Sequence, residues 1–100
     1  MRVRFRTQVL RRCYVNIQEA NRNWGKKIAR KYIERVNILY GAESGAVLKT
    51  LPHLRFHQLV GKRSGQYALN LDNFWRLIVS FDDSKQREVS VEEVSKHYGD

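Results

Sequence analysis

Four side chains in the second half of the chain are suited to chemistry at a phosphate. Arg76 carries a planar guanidinium, which can hold a phosphate through two parallel hydrogen bonds. His57 and His97 carry imidazoles, which near neutral pH take a proton from a hydroxyl group or give one to a leaving oxygen. Tyr98 can donate a hydrogen bond or stack on a base. These residue types together favour an anionic ligand, with RNA and its cleavage as the first candidate.

Each of these residues also has an ordinary structural role. Arg76 can be a solvated strand residue or a partner for Asp82, and Tyr98 can cover an edge of the core. A histidine is more often a structural or surface residue than a catalytic one. Lys62 and Arg63 have the setting of a loop tip, where cations usually face solvent but can also grip phosphates. The residues alone leave both roles open.

The sequence argues against the common metal and nucleotide sites. Three histidines, one cysteine and scattered carboxylates show no metal-ligand spacing. There is no glycine-rich phosphate loop and no Ser/His/Asp signature. We therefore expect no cofactor. Metal-free RNA cleavage fits this limit, because the 2′-hydroxyl of the RNA attacks the adjacent phosphorus and the protein supplies a base, an acid and cations.

The chain is short and strongly basic. Its 100 residues predict one domain, 1–100, and 19 Lys and Arg against 10 Asp and Glu give a net charge of +9. Such a charge favours nucleic acid, an acidic membrane surface or an acidic protein partner. Cys13 falls in a helical pattern, so we expect a buried hydrophobe. The sequence shows neither a secretory signal nor a membrane-spanning run, which predicts a cytoplasmic protein.

The first half predicts one strand and two helices. Arginines alternate with Val3 and Phe5, which is typical of a short strand. Apolar residues then recur every three or four positions over Val9–Trp24 and again over Ile28–Tyr40, which predicts two amphipathic helices. The break between them is expected at Gly25 or over the polar stretch Asn21–Asn23. Cations occupy the other positions of the second helix: Lys26, Lys27, Arg30, Lys31 and Arg35.

The connection between the halves is predicted to be a loop. Gly41 suits a left-handed stop to the second helix. Residues 42–52 follow, with one helical turn at Ala46–Thr50, and Pro52 ends them.

The second half changes to the two-residue period of strands. The predicted strands are Phe56–Val60, Gln66–Leu71, Phe74–Asp82 and a last strand starting near Val89, with a hairpin loop at Gly61–Gly65. Trp75 and Leu77 share the core face, which places Arg76 on the opposite face. Val94 breaks the parity of the last strand, so we expect a bulge near Glu92–Glu93.

This order of elements predicts an α+β fold. A strand, two helices and then four strands favour a mostly antiparallel, twisted sheet with the helices packed on one face. The other sheet face is then available for a ligand.

The order and spacing of several segments resemble a known family. These are WGKKIARKYIERVNIL, LPHLRFHQLVGKRSGQYALNL, FWRLIVSF and a last strand ending in HY. The chain resembles the RelE/ParE toxins of bacterial toxin–antitoxin pairs and looks closest to the HigB-like branch. The most specific matches are His57–Gly61, Gly65-Gln66 and Arg76–Ile78.

The resemblance implies a ribosome-dependent endoribonuclease that cleaves mRNA in the A site and leaves a 2′,3′-cyclic phosphate. By position, Arg76 would stabilise the phosphorane, His57 matches the histidine before the hairpin, and His97 and Tyr98 match a terminal acid/base or base-stacking pair. Val60 stands where HigB-like chains often carry a lysine. Lys62 or Arg63 can replace that lysine. The cations expected to contact RNA are Arg55, Lys62, Arg63 and Lys96.

The same resemblance implies partners. It predicts a cognate antitoxin, HigA-like and of helix-turn-helix type, together with the ribosome and mRNA. Operator DNA would be reached through the antitoxin, and no membrane is involved. Two alternatives remain open on this fold: a ParE-like inhibitor of DNA gyrase and a non-catalytic nucleic-acid-binding module.

Overall fold

A computed structural model describes residues 1–96 of the chain. The predicted site residues His97 and Tyr98 lie outside that range. The strands are β1 (Arg2–Phe5), β2 (His57–Gln58), β3 (Gln66–Asn70), β4 (Trp75–Phe81) and β5 (Glu88–Lys96). The helices are α1 (Gln8–Val15), α2 (Ile17–Trp24), α3 (Lys26–Gly41) and α4 (Gly45–Leu48). Two 3₁₀ turns, Pro52–Leu54 and Gly61–Arg63, flank β2.

The strands form one five-stranded sheet in the order β1-β5-β4-β3-β2. β1 runs parallel to β5, and the other neighbouring pairs are antiparallel. The prediction of an α+β fold with a mostly antiparallel sheet is therefore confirmed. Buried side chains from the helices and from one sheet face form a single core cluster, which includes Cys13, Tyr32, Leu39, Leu69, Leu77 and Val91.

The helical region before Gly25 differs from the prediction of one continuous helix. Asn16 has an extended backbone and separates α1 from α2. Its side-chain oxygen accepts hydrogen bonds from the backbone N–H groups of Gln18 and Glu19, at 3.0 and 3.3 Å. A cap of this kind satisfies backbone donors at a helix start, so one polar residue restarts the helix within an apolar stripe.

The predicted left-handed stop at Gly41 is wrong, because Gly41 is the last residue of α3 and has no positive φ. The extended backbone of Ala42 ends the helix instead. The carbonyl oxygens of Leu39, Tyr40 and Ala42 accept hydrogen bonds from the amino nitrogen of Met1. The helix end is thus satisfied by another part of the chain and does not need a glycine.

A bulge in β5 changes which residues of this strand lie on each face of the sheet. Ile78 pairs with Glu93 whereas Val79 pairs with Val91, so Glu92 is the extra residue and the predicted bulge is confirmed. Val94 consequently returns to the core face after the break. The face turned away from the helices, called the outer face below, carries Gln66, Ala68, Asn70, Arg76, Ile78, Ser80, Ser90, Glu93 and Ser95.

The strand predicted at Phe56–Val60 is shorter in the structure, because β2 holds two residues. The N–H of Leu59 still donates to the carbonyl of Gln66, at 2.8 Å. Gly61 then takes a φ of 70° and begins a 3₁₀ turn, which leaves Val60 87% exposed. The hairpin predicted at this position is therefore present, with a tighter loop and a shorter first strand.

Substitution of Gly45 by alanine is expected to destabilise the fold. A Cβ atom there would lie 2.9 Å from Cζ of Phe81 and 2.3 Å from Oε1 of Gln86. Phe81 belongs to an aromatic cluster and cannot move freely, so we expect a loss of about 1–3 kcal/mol in the free energy of unfolding. Urea denaturation measures this loss. Gly41→Ala is the control, because a Cβ there meets nothing within 4 Å and alanine favours the helix. Equal stability of Gly45→Ala and the parent would contradict the expected clash.

Candidate active site

A cavity of about 490 Å³ opens where β2, β3 and β4 adjoin. It is lined by Arg55, Phe56, His57, Asn70 and Arg76. Three of the predicted site residues, namely Arg55, His57 and Arg76, therefore meet at one place. The pairing of His57 with Ala68 and of Asn70 with Arg76 fixes their relative positions through the sheet.

Arg76 is anchored by the turn between β3 and β4. Its Nη1 donates hydrogen bonds to the carbonyl oxygens of Asp72, at 2.9 Å, and Trp75, at 3.2 Å. Asp82, the alternative partner considered for Arg76, accepts hydrogen bonds from Arg4 at 2.8 and 3.1 Å. One end of the Arg76 guanidinium is thus held by backbone while the residue lines the cavity.

Asp72 organises this turn. Its Oδ1 accepts hydrogen bonds from the backbone N–H groups of Phe74, at 2.8 Å, and Trp75, at 2.7 Å, and Lys27 lies 3.7 Å from Oδ2. Partial burial alone would raise the pKa of Asp72, but these N–H groups and the Lys27 ammonium together hold the pKa below its usual value. A lowered pKa means that the stabilisation is complete above the ordinary aspartate pKa and is lost as the pH falls through the lowered one. At neutral pH the turn that holds Arg76 is therefore fully stabilised.

Arg35 supports the same region from the helix layer. Arg35 stands outside the predicted apolar stripe of α3, yet it is only 5% exposed. Its Nε donates a hydrogen bond to the carbonyl oxygen of Asn70, at 2.9 Å, and Glu34 is its ion-pair partner at 3.7 Å. Burial lowers the pKa of the Arg35 guanidinium, against the opposing effect of Glu34. This hydrogen bond thus links α3 to Asn70, the β3 residue that pairs with Arg76.

The sequence offers one signal for the buried position of Arg35. Arg35 lies directly before Val36 and three residues after Tyr32, and both are fully buried residues of the α3 stripe. A helical stripe wide enough to include the neighbouring positions would contain Arg35.

Arg55 and His57 form a unit at the start of β2. Arg55 has a left-handed backbone, with φ 46° and ψ 44°, which costs on the order of 1–3 kcal/mol for a residue with a Cβ. Its carbonyl oxygen lies 2.8 Å from Nδ1 of His57. Because a carbonyl oxygen can only accept, Nδ1 carries the proton, and in the neutral ring Nε2 then holds the lone pair. This arrangement orients Nε2 as the proton-accepting atom of His57.

An aromatic cluster fixes the chain next to this unit. The ring of Phe56 stacks on that of Tyr67, with centroids 5.1 Å apart and an interplanar angle of 7°. Phe81 meets both rings edge-on, at 6.3 and 5.3 Å. The residue between Arg55 and His57 is thus packed against β3 and β4, which limits the freedom of the chain that carries these two side chains.

Arg63 lies across the outer face and is already engaged. Its Nε donates to Oε1 of Gln66, at 3.0 Å, and its guanidinium forms an ion pair with Glu93. The two ion-pair side chains are 43% and 41% exposed, so water reaches both. In register, Glu93 lies two residues before Ser95, the partner of Arg76. A carboxylate therefore occupies the outer face beside the cavity, which the sequence analysis had not foreseen.

The remaining predicted cations are more peripheral. Lys62 is exposed in the 3₁₀ turn, and Lys96 is exposed at the end of β5, where it pairs with Trp75 across the sheet. The predicted roles of Lys62, Arg63 and Lys96 in RNA contact, and of His97 and Tyr98 in catalysis, stay predictions.

Neither a metal site nor a membrane-spanning helix is found within residues 1–96. No group of His, Cys, Asp or Glu side chains in this range is arranged to hold a metal ion. Within the same range, none of the helices has the length and apolar character needed to cross a bilayer.

Comparison with known proteins gives structural matches alone. No family model and no curated protein matches the sequence. The YoeB/ParE toxin from Agrobacterium tumefaciens is similar at 18% identity and a TM-score of 0.58, over 98% of this chain and 100% of that chain. The YoeB–YefM complex from Staphylococcus aureus matches at 18% identity and a TM-score of 0.59, over 98% of each chain. A YafQ mutant from E. coli matches at 17% identity and a TM-score of 0.60, over 96% of this chain and 93% of that one. The chain therefore has the fold of the RelE/ParE toxins.

Proposed function

We propose that this protein is the toxin of a toxin–antitoxin pair and that it cleaves translated mRNA on the ribosome without a metal ion. The observation that carries the proposal is the cavity in which Arg55, His57 and Arg76 meet. A guanidinium and an oriented imidazole on one wall supply charge stabilisation and proton transfer, which are the groups that RNA cleavage through its own 2′-hydroxyl requires.

The proposed reaction uses the atoms of the RNA as nucleophile and leaving group. Nε2 of His57 takes the proton of the 2′-hydroxyl, and O2′ forms a bond to the adjacent phosphorus. The bond from phosphorus to O5′ breaks, which gives a 2′,3′-cyclic phosphate and a 5′-hydroxyl after O5′ receives a proton. Arg76 stabilises the charge of the phosphorane. The acid that protonates O5′ is assigned here to the His97–Tyr98 pair, for which the family resemblance implies an acid/base or base-stacking role.

The charge of the chain supports an RNA ligand. The net charge is +9, Arg55 is exposed at the cavity, and Lys62 is exposed in the turn before β3. Cations at such positions hold phosphates and fix the register of a nucleic acid, while base contacts supply the selectivity. The flanking phosphates of an mRNA are thus expected to lie along this side of the sheet.

The structural matches support the toxin role and a protein partner. Two of the matched structures are described as a YoeB/ParE toxin and as a YoeB–YefM complex. We infer that this chain also binds a cognate antitoxin, for which a HigA-like helix-turn-helix protein is our candidate. The cytoplasm, where ribosomes and mRNA are found, is the expected place of action.

A purified translation system tests the proposed function. We expect the protein to cut an mRNA at codons that are being translated and to leave 5′-hydroxyl ends, mapped by primer extension. The control is the same mRNA with its start codon removed, which should stay intact. Intact mRNA under both conditions would overturn the proposal. If plasmid supercoiling also changed in the presence of gyrase, the ParE-like alternative would replace it.

A further inference from the structure

Phe74 differs from the other phenylalanines in its exposure. The chain has four phenylalanines, and Phe5, Phe56 and Phe81 are packed against the core. Phe74 is 54% exposed, and within residues 1–96 no ring–ring contact involves it. An exposed ring is common on protein surfaces when it stands alone, so its meaning depends on what lies beside it.

Phe74 is fixed by the turn that also anchors Arg76. The backbone N–H of Phe74 donates to Oδ1 of Asp72, at 2.8 Å, and Nη1 of Arg76 donates to the carbonyl of Asp72, at 2.9 Å. Phe74 lies two residues before Arg76 and directly before β4. Extending the alternation of β4 by one residue puts Phe74 on the side of Arg76. A single residue, Asp72, thus holds both an exposed aromatic residue and the proposed phosphate-binding guanidinium.

We propose that Phe74 is a base-stacking residue for the nucleotide next to the phosphate bound by Arg76, an inference that rests on the proposed function. Proteins that bind single-stranded RNA pair cations on the phosphates with aromatic rings under the bases. Because the backbone of Phe74 is fixed before the ligand arrives, only the side-chain torsions of Phe74 have to be ordered on binding. Phe74 then fixes the scissile nucleotide so that its 2′-hydroxyl lies near His57.

Two substitutions separate stacking from simple apolar contact. Phe74→Leu keeps an apolar side chain and removes the ring, and we expect cleavage on programmed ribosomes to slow by about ten- to a hundredfold. Phe74→Trp keeps a stacking ring, so its cleavage rate should stay within about threefold of the parent rate. A threefold change is smaller than the effect expected from losing one stacked base. Val15→Ala is the control, because Val15 is 68% exposed at the end of α1 and should cleave like the parent.

A synthetic mRNA with one abasic nucleotide in the A-site codon supplies the decisive readout. For the parent protein, loss of the stacked base should slow single-turnover cleavage as much as Phe74→Leu does. Phe74→Leu should then show no further loss on the abasic mRNA. A second loss of equal size would overturn the inference, because the ring would be acting elsewhere.

The remaining outcomes are also distinct. If Phe74→Leu cleaves as fast as the parent, stacking is wrong while the proposed function stands. If that variant instead binds the antitoxin more weakly, the ring belongs to a protein interface. If the parent protein fails to cleave the intact mRNA, the proposed function itself is wrong, and the stacking inference falls with it.

Discussion

Arg76→Ala is expected to slow mRNA cleavage by about a hundred- to a thousandfold, the usual effect of removing one group that stabilises transition-state charge. The side chain lines the cavity and is held by the carbonyls of Asp72 and Trp75. Alanine removes the guanidinium that would meet the equatorial phosphate oxygens. Single-turnover cleavage on programmed ribosomes measures the effect, and urea denaturation checks that the fold is retained.

Two further variants show whether the loss of cleavage is specific to the guanidinium of Arg76. Arg76→Lys keeps a positive charge without the planar pair of donors, so we expect it to recover little activity. Arg4→Ala also removes one arginine, but Arg4 is paired with Asp82 at the β1 edge of the sheet. Because an exposed ion pair of this kind contributes little to stability, we expect the cleavage rate to change less than about threefold. Equal losses in Arg76→Ala and Arg4→Ala would mean that general charge matters and that Arg76 has no special role.

His57→Asn is expected to slow cleavage by about a hundredfold or more, because it removes the proton-accepting atom. The asparagine amide can still donate a hydrogen bond towards the carbonyl of Arg55, where Nδ1 of His57 lies at 2.8 Å. The variant therefore keeps the contact that orients the side chain and loses the group that acts as a base. The same single-turnover assay measures the loss.

A histidine outside the cavity is the matched control for this variant. His53→Asn changes an exposed residue of the 3₁₀ turn Pro52–Leu54 and should leave the rate unchanged. If His57→Asn also cleaved at the parent rate, His57 would have a supporting role in the sheet. The base would then have to be sought in the His97–Tyr98 pair.

The features that sequence reasoning predicted correctly follow from local periodicity. The two-residue alternation around Trp75 and Leu77 placed Arg76 on the outer face, and the broken parity at Val94 located the bulge in β5. Both signals depend on burial along one strand, which the sequence displays directly. The layer architecture followed in the same way, from the change of period after Pro52.

The features that sequence reasoning missed depend on partners far away in the chain. The position of Arg35 beside the apolar stripe hints at its burial, but the carbonyl that accepts its hydrogen bond lies 35 residues later, and no local pattern contains that contact. Gly41 needs no left-handed turn because the amino nitrogen of Met1 binds the end of α3. Asn16 divides a helix through its own side chain, which competes with the backbone at one position.

The ion pair of Arg63 and Glu93 alters how salt should act on RNA binding. An RNA phosphate that takes over Arg63 releases a counterion from the RNA, as any neutralised phosphate does. It also leaves the Glu93 carboxylate next to a polyanion, where it attracts a cation from solution. The release of the RNA counterion and the uptake of a cation by Glu93 partly offset each other at this contact. For the proposed RNA complex, we therefore expect a slope of log affinity against log salt concentration that is shallower than the number of phosphate contacts implies, and we expect Glu93→Gln to steepen it.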